Sequence, residues 1–422
     1  MGDSSAHHHA LFSHRPGWRR ARLCHHLGGM PTMTRTAVDL VVVGSAPGPG
    51  AAAEFHQGYA LLREAVPAGT PWLEFAPGTD LRTAALDQAH ARGLPGSARV
   101  LLLTHAQLLV TRGVVDRLLD ALDSCAPASA IFAYHNGFPP SPQPDYCTLR
   151  GMERYLDRLE MSALQPDTGS QPRLVTLTTV DGLAAPGPSY WLASAYAHDF
   201  SGYQQARRED VVALVPPHTR RLLDVGGGEG GFLHAAQQAL GCETHLAEAS
   251  ADACARAAPL VDHVWPGDFF AQSFIAPTGS APLRFDAIAF LDVLEHVQAP
   301  NDWLVHARSL LTPQGVVLAS IPNVAHWGVI ADLLEGRWDY CPLGIHCVTH
   351  LRFFTEHSVR ALFTEAGYAI DRMDRVLVPC PPAWAEHWKA TPGLAVEPAQ
   401  WDVYAFLVRA RATASVECRA PR

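Results

Sequence analysis

The chain has 422 residues, enough for two domains, and its 48% hydrophobic and 17% charged content describes a well-buried globular protein. A formal net charge of −9 argues against a polyanion-binding surface, so nucleic acid is not an expected partner. No stretch approaches the ~20 apolar residues of a membrane span, and nine scattered cysteines without a C-x-x-C suit a reducing, cytoplasmic compartment.

Residues 1–36 carry His7-His8-His9 and Arg19-Arg20, with no apolar signal-peptide core and no periodicity. This leader is expected to be disordered, with Met30 or Met33 as an alternative start. Ordered structure is expected from a buried strand at 38–44. A helix through 59–62, strands at 72–75, 99–104 and 130–134, and an amphipathic helix at 114–122 follow. This alternation predicts an α/β domain over 37–180 with a mainly parallel sheet. The region faintly resembles the nucleotide-sugar domain of family-2-like glycosyltransferases, in which a strand ends in acidic metal ligands. The matching segment, Thr104-His105-Ala106-Gln107, has no carboxylate. Such enzymes need an acid there to hold the metal that neutralises a diphosphate. The resemblance therefore implies a degenerate, non-catalytic binding or docking domain, with an unrelated α/β module as the alternative. The proline- and glycine-rich stretch around Pro186-Gly187-Pro188 places a linker at 181–195.

Beyond it, Arg221-Leu222-Leu223-Asp224-Val225 is an apolar strand that runs into Gly226-Gly227-Gly228-Glu229-Gly230-Gly231. Glycines at 226, 228 and 230 complete D-x-G-x-G-x-G after Asp224, and such a turn cradles a nucleotide-like cofactor at the carboxyl ends of a parallel sheet. The same letters satisfy G-x-G-x-x-G through Gly226, Gly228 and Gly231, so the turn alone leaves S-adenosylmethionine (SAM) and NAD both open. A strand at 243–247 then ends at Glu248, and Gly267-Asp268-Phe269 follows. Next come a buried strand leading into Asp292-Val293-Leu294-Glu295-His296, a helix, and a strand ending in Pro322-Asn323-Val324-Ala325-His326-Trp327.

This series resembles class I SAM-dependent methyltransferases, most closely the branch with D-V-L-E-H after the fourth strand and P-N-x-x-H-W after the fifth. Members of that branch act in ubiquinone and cell-surface polysaccharide pathways. The resemblance implies a Rossmann-like, seven-stranded α/β sheet with an antiparallel seventh strand, a methyltransferase domain at 196–413, and a tail at 414–422. It also implies SAM as the cofactor. Gly226, Gly228 and Gly230 would cradle SAM, with Asp224 holding the turn or receiving the amino group through water and Glu248 accepting both ribose hydroxyls. Asp268 would take the adenine amino group and Phe269 would cover the ring. Leu291 and Asp292 would meet the cofactor at the end of the fourth strand, and Arg208 would reach its carboxylate.

For proton removal from an oxygen nucleophile, a neutral histidine suits pH 7. The candidates are His326, His350 and His296, with His350 inside a family-like H-L-R-F-F-T and Thr355 as an N-cap. The insertion 327–347, with Trp338 and Tyr340, is expected to form a lid. Cys341, His346, Cys347 and His350 lack the spacing of a common zinc site, and no metal is expected. The expected activity is O-methylation of a saccharide or cell-surface glycan precursor, with glycan-biosynthesis enzymes as partners. The alternatives are a small aromatic or quinone-like acceptor, or a SAM-binding regulatory or scaffold protein without turnover.

Overall fold

The computed structural model describes residues 37–45, 53–137, 146–159, 164–169, 171–275, 282–391 and 398–413. The expectations for the leader 1–36 and the tail 414–422 lie outside the described residues.

The first sheet contains β1 (Leu40–Gly44), β2 (Trp72–Phe75), β3 (Arg99–Leu103), β4 (Leu108–Leu109), β5 (Ala130–His135), β6 (Gln165–Pro166), β7 (Val175–Thr179) and β8 (Ser189–Asp199). Their order is β2-β1-β3-β7-β5-β8-β4, with β6 beside β8. The apolar runs at β1, β3 and β5 are buried on both faces, which is why they read as continuous hydrophobic stretches.

Two expectations for this half are corrected. The sheet is mixed, because β7 inserts antiparallel between β3 and β5, and β4 and β6 run antiparallel to β8. The stretch expected as a linker is structured: Val180–Ala184 is helical and β8 lies parallel to β5. Trp191, Leu192, Ala195, Tyr196 and Ala197 are buried in the core of the first sheet. Pro186-Gly187-Pro188 is a turn that feeds β8 into place, with Gly187 N–H donating to Ala128 O at 2.9 Å and Ala130 N–H to Pro188 O at 3.0 Å. Proline and glycine here mark a strand entry, and the passage to the second sheet begins only after Asp199.

The second sheet contains β9 (Arg221–Val225), β10 (Glu243–Glu248), β11 (His263–Pro266), β12 (Phe285–Leu291), β13 (Leu311–Pro322), β14 (Tyr368–Leu377) and β15 (Val403–Ala412). The order is β11-β10-β9-β12-β13-β15-β14, with β15 antiparallel to both neighbours. This is the Rossmann-like arrangement with an antiparallel last strand. Alternate residues of β9 serve opposite cores: Leu222 packs with one cluster and Leu223 with the other. Both faces are covered, and the carboxyl ends of β9, β10 and β12 converge on one rim.

The two sheets share an interface. Arg154 Nη2 lies 2.6 Å from Asp332 Oδ1, Arg150 Nε lies 2.8 Å from Glu335 Oε2, and Asp332 is fully buried. Cys147 Sγ is 2.9 Å from His326 Nδ1. No helix among the described residues is long and apolar enough to cross a membrane.

Candidate functional site

A cavity of about 570 Å³ opens at the carboxyl rim of the second sheet. Its floor is the turn after β9. Gly226, with φ 73°, brings its backbone so close to Val293 that a Cβ there would lie 2.9 Å from Cγ2. Gly228, with φ 56°, makes a similar approach to the backbone of Gln204, whose carbonyl also accepts the Glu229 N–H at 3.0 Å. These glycines therefore admit the chain's own connector as well as any ligand.

Asp224 stands beneath the turn, fully buried, and its Oδ1 has no hydrogen-bond partner among the described residues. Burial, reinforced by the charge of Glu248, pushes its carboxyl up to about 7. Glu248 closes β10 and lines the cavity. Its Oε2 accepts the Gly228 N–H at 3.1 Å and its Oε1 the Ser250 N–H at 2.8 Å, which clamps the carboxylate at the rim.

After β12 the chain turns sharply at Asp292, a non-glycine residue with φ 55°. Asp292 Oδ1 accepts the Ser320 hydroxyl at 2.6 Å and Oδ2 accepts Arg208 Nη1 at 2.9 Å. Glu295 is fully buried with neither carboxyl oxygen hydrogen-bonded among the described residues, so desolvation, and then the Asp292 charge, raise it far above the carboxylate range. Its backbone carbonyl accepts the N–H groups of Leu351 at 2.8 Å and Arg352 at 3.0 Å, which ties 350–355 to this loop.

His296 and His350 meet edge to face with ring centroids 4.6 Å apart, and both line the cavity. Paired with Ile345 O at 2.9 Å, His350 Nδ1 carries the proton and Nε2 is left as the acceptor nitrogen. Burial, and secondarily His296, lower His350 to about 3, so the ring is neutral. Glu295, His296 and His350 present ligand atoms within 4.8 Å of one another, a set that could hold a divalent metal. Glu243, His245 and His263, at the other end of β10, form a second such group.

Residues 196–372 match the family described as "Methyltransferase domain". The C-terminal half of this chain is a class I SAM-dependent methyltransferase. Among similar proteins is a ubiquinone biosynthesis O-methyltransferase of Cereibacter sphaeroides, 28% identical over 183 residues, which cover 42% of this chain and 71% of the relative. A ubiquinone biosynthesis O-methyltransferase of Xanthomonas campestris is 30% identical over 148 residues, covering 35% of this chain and 61% of the relative. Of solved structures, the CcbJ methyltransferase of Streptomyces caelestis is similar at TM-score 0.33 and 16% identity, over 50% of this chain and 90% of that one.

In the methyltransferase half, Asp224, Gly226, Gly228, Glu248, Leu291, Asp292, Arg208, His296 and His350 all line the one cavity. Gly230 supports the turn from behind as the N-cap of the helix Gly231–Leu240. The cradle fits SAM: a carboxylate stands at the second strand end, and Gly226 and Gly228 of the turn line the cavity beside it. Three expected residues stand elsewhere. His326 caps the helix Trp327–Leu334, accepting the Gly328 N–H on Nδ1 at 3.1 Å and pairing Nε2 with Val378 O at 3.1 Å. With both nitrogens engaged and the ring fully buried, it lies outside the cavity lining. Asp268 turns its carboxylate to the Phe270 N–H at 3.0 Å. Phe269 is buried among Phe274, Phe290, Trp303 and His306, and Trp303 presents the aromatic surface to the cavity.

Tyr203, Phe232 and Trp303 were not foreseen as lining residues, whereas the 342–344 segment belongs to the insertion 327–347 expected as a lid. Gln107 and Phe200, which flank β4 and β8 of the first sheet, were not foreseen either. The segment 104–107 lacks an acid in sequence, but β8 brings Asp199 to it, with Oδ1 at 3.7 Å from His105 Nε2.

Proposed function

We propose that this protein methylates a hydroxyl of a small aromatic or quinone-like acceptor. The observation that carries the reading is one cavity with a cofactor cradle and, in the same wall, the neutral His350 ring beside His296. When bound, SAM supplies an electrophilic methyl group on a sulfonium. In this reading Glu248 accepts the ribose hydroxyls, the backbone at 226–230 follows the methionine portion, and Arg208 reaches its carboxylate. Leu291, Asp292 and Trp303 line the remaining cofactor surface. His350, through Nε2, or His296 beside it, takes the acceptor's proton, and the 342–350 segment excludes water.

The aromatic acceptor is favoured over the saccharide because Phe200, Tyr203, Val293, Val297, Trp303 and Leu343 give the cavity a largely apolar, aromatic lining. The relatives named for ubiquinone biosynthesis point the same way. A saccharide would call for polar partners around several hydroxyls. Residues 37–199 are read as a module without glycosyl transfer that completes this cavity. The test is transfer from methyl-labelled SAM to a panel of catechols, phenols, nucleotide sugars and glycans. Labelled phenolic ethers are expected; labelling confined to sugars, or absent throughout, would overturn the reading.

A further inference from the structure

Among the described residues, Gln107, just before β4, and Phe200, directly after β8, enter the lining of the methyltransferase cavity from the side of the first sheet, and they are fixed to one another. The Phe200 N–H donates to Gln107 O at 3.1 Å, so the segment after β3 and the residue after β8 move as a unit. Phe200 is 6% exposed, and its ring packs so tightly on the helix Ala53–Glu64 that a Cβ on Gly58 would lie 2.7 Å from it. The same point lies 3.5 Å from Pro342, which lines the cavity. Gln57 Nε2 donates to Tyr340 O at 3.1 Å beside it. The first half is therefore anchored to the segment that continues to His350.

The Gln107 carboxamide is partly exposed and makes no protein hydrogen bond among the described residues. A primary amide offers both a donor and an acceptor, and both remain available to a ligand in the cavity. The cofactor-side groups, Asp224 and Glu248, stand on β9 and β10. Gln107 stands in the loop just before β4 of the other sheet, on the side joined to the 342–350 segment.

We propose that Gln107 and Phe200 form the acceptor-recognising wall of the active cavity. Phe200 packs against the acceptor ring and Gln107 hydrogen-bonds a ring oxygen, hydroxyl or carbonyl, that is not the one being methylated. The N-terminal module is then part of the acceptor site. This inference rests on the aromatic-acceptor reading, and the experiment separates the two.

The probe is 4-nitrocatechol, titrated by its visible absorbance into the full chain and into Gln107→Ala, with S-adenosylhomocysteine affinity measured by calorimetry in parallel. The variant is expected to bind the probe ~3–10-fold more weakly, the loss of one neutral hydrogen bond. Its affinity for S-adenosylhomocysteine should stay within about twofold of the parent, because the cofactor cradle is untouched. In turnover, KM for the probe should rise by the same factor with kcat within about twofold, the signature of lost uniform binding. Equal probe binding by both proteins overturns the role of Gln107 and leaves the aromatic reading intact. A parent that binds S-adenosylhomocysteine but not the probe overturns the aromatic reading, and this inference with it. A variant that loses both ligands assigns Gln107 to the fold and overturns the inference alone.

Discussion

Arg208 and Asp292 meet at 2.9 Å across the cavity, and both hold left-handed backbone, at φ 44° and 55°. Neither is glycine, and such a conformation costs of order 1–3 kcal/mol per residue, so the surroundings must over-determine it. Two strained turns, one before β9 and one after β12, are thus joined by this ion pair at the cavity wall, with Asp210 and Ser320 holding its two ends. Arg208→Ala should weaken S-adenosylhomocysteine by roughly 1.5–3 kcal/mol if the guanidinium also holds the ligand's carboxylate. Calorimetry decides; unchanged affinity would confine Arg208 to holding the turn.

Glu248 already accepts two backbone N–H groups. Glu248→Ala should cost S-adenosylhomocysteine binding roughly 2–4 kcal/mol, through lost ribose contacts and a loosened turn. Glu248→Gln keeps one acceptor oxygen and should cost less. If thermal stability falls while affinity holds in both variants, the carboxylate serves only the turn.

Asp224 titrates near 7 in the free protein because it is buried and faces the charge of Glu248. A cationic ligand entering the cavity favours the carboxylate and lowers that value, so binding at pH 7 should release a fraction of a proton. Calorimetry of SAM in buffers of different ionisation enthalpy measures it. Release should vanish in Asp224→Asn, and net uptake by the parent would contradict the assignment.

Acid should destabilise the fold through its buried histidines. Burial lowers His198, His245 and His326 to about 4 and His350 to about 3, against 6.5 for the free side chain. The sign follows from the depressed folded values: the unfolded chain binds these protons first. The stability is present above pH 6.5 and is lost as pH falls towards 4, by up to ~3 kcal/mol per ring. Urea midpoints at pH 7.5 and 5 should show the loss, and a midpoint that rises at pH 5 would refute it.

Arg154 is the partner of a fully buried Asp332 across the interface of the two sheets. Removing it strands that charge, so Arg154→Met should cost ~3–5 kcal/mol of stability. A denaturant titration tests this; a loss below ~1 kcal/mol would mean that water reaches Asp332 in the variant.

The second sheet was legible in sequence because its glycine turn, strand-end acids and paired loop motifs are local in the chain. Thr355 was likewise readable as an N-cap, and it forms a reciprocal cap with Ser358. The errors were non-local. Nothing in V-T-L-T-T says that β7 enters antiparallel between β3 and β5. Pro186-Gly187-Pro188 reads as a linker until the strand it feeds is seen with Tyr196 fully buried. His326 and His350 carry equal weight as letters in motifs; one is consumed by a helix cap and a carbonyl, the other keeps a ring nitrogen towards the cavity wall. Gln107 belongs to a site only after two sheets pack together.

The backbone of Gln204 rests on the glycine turn through its bond to Glu229 N–H. The strip of chain that joins the two modules is thus also a wall of the cofactor cradle. Separating the modules and emptying the cradle are then coupled through this one strip of backbone. By linkage, whatever factor the cofactor adds to the modules' hold on each other, their association returns to cofactor affinity.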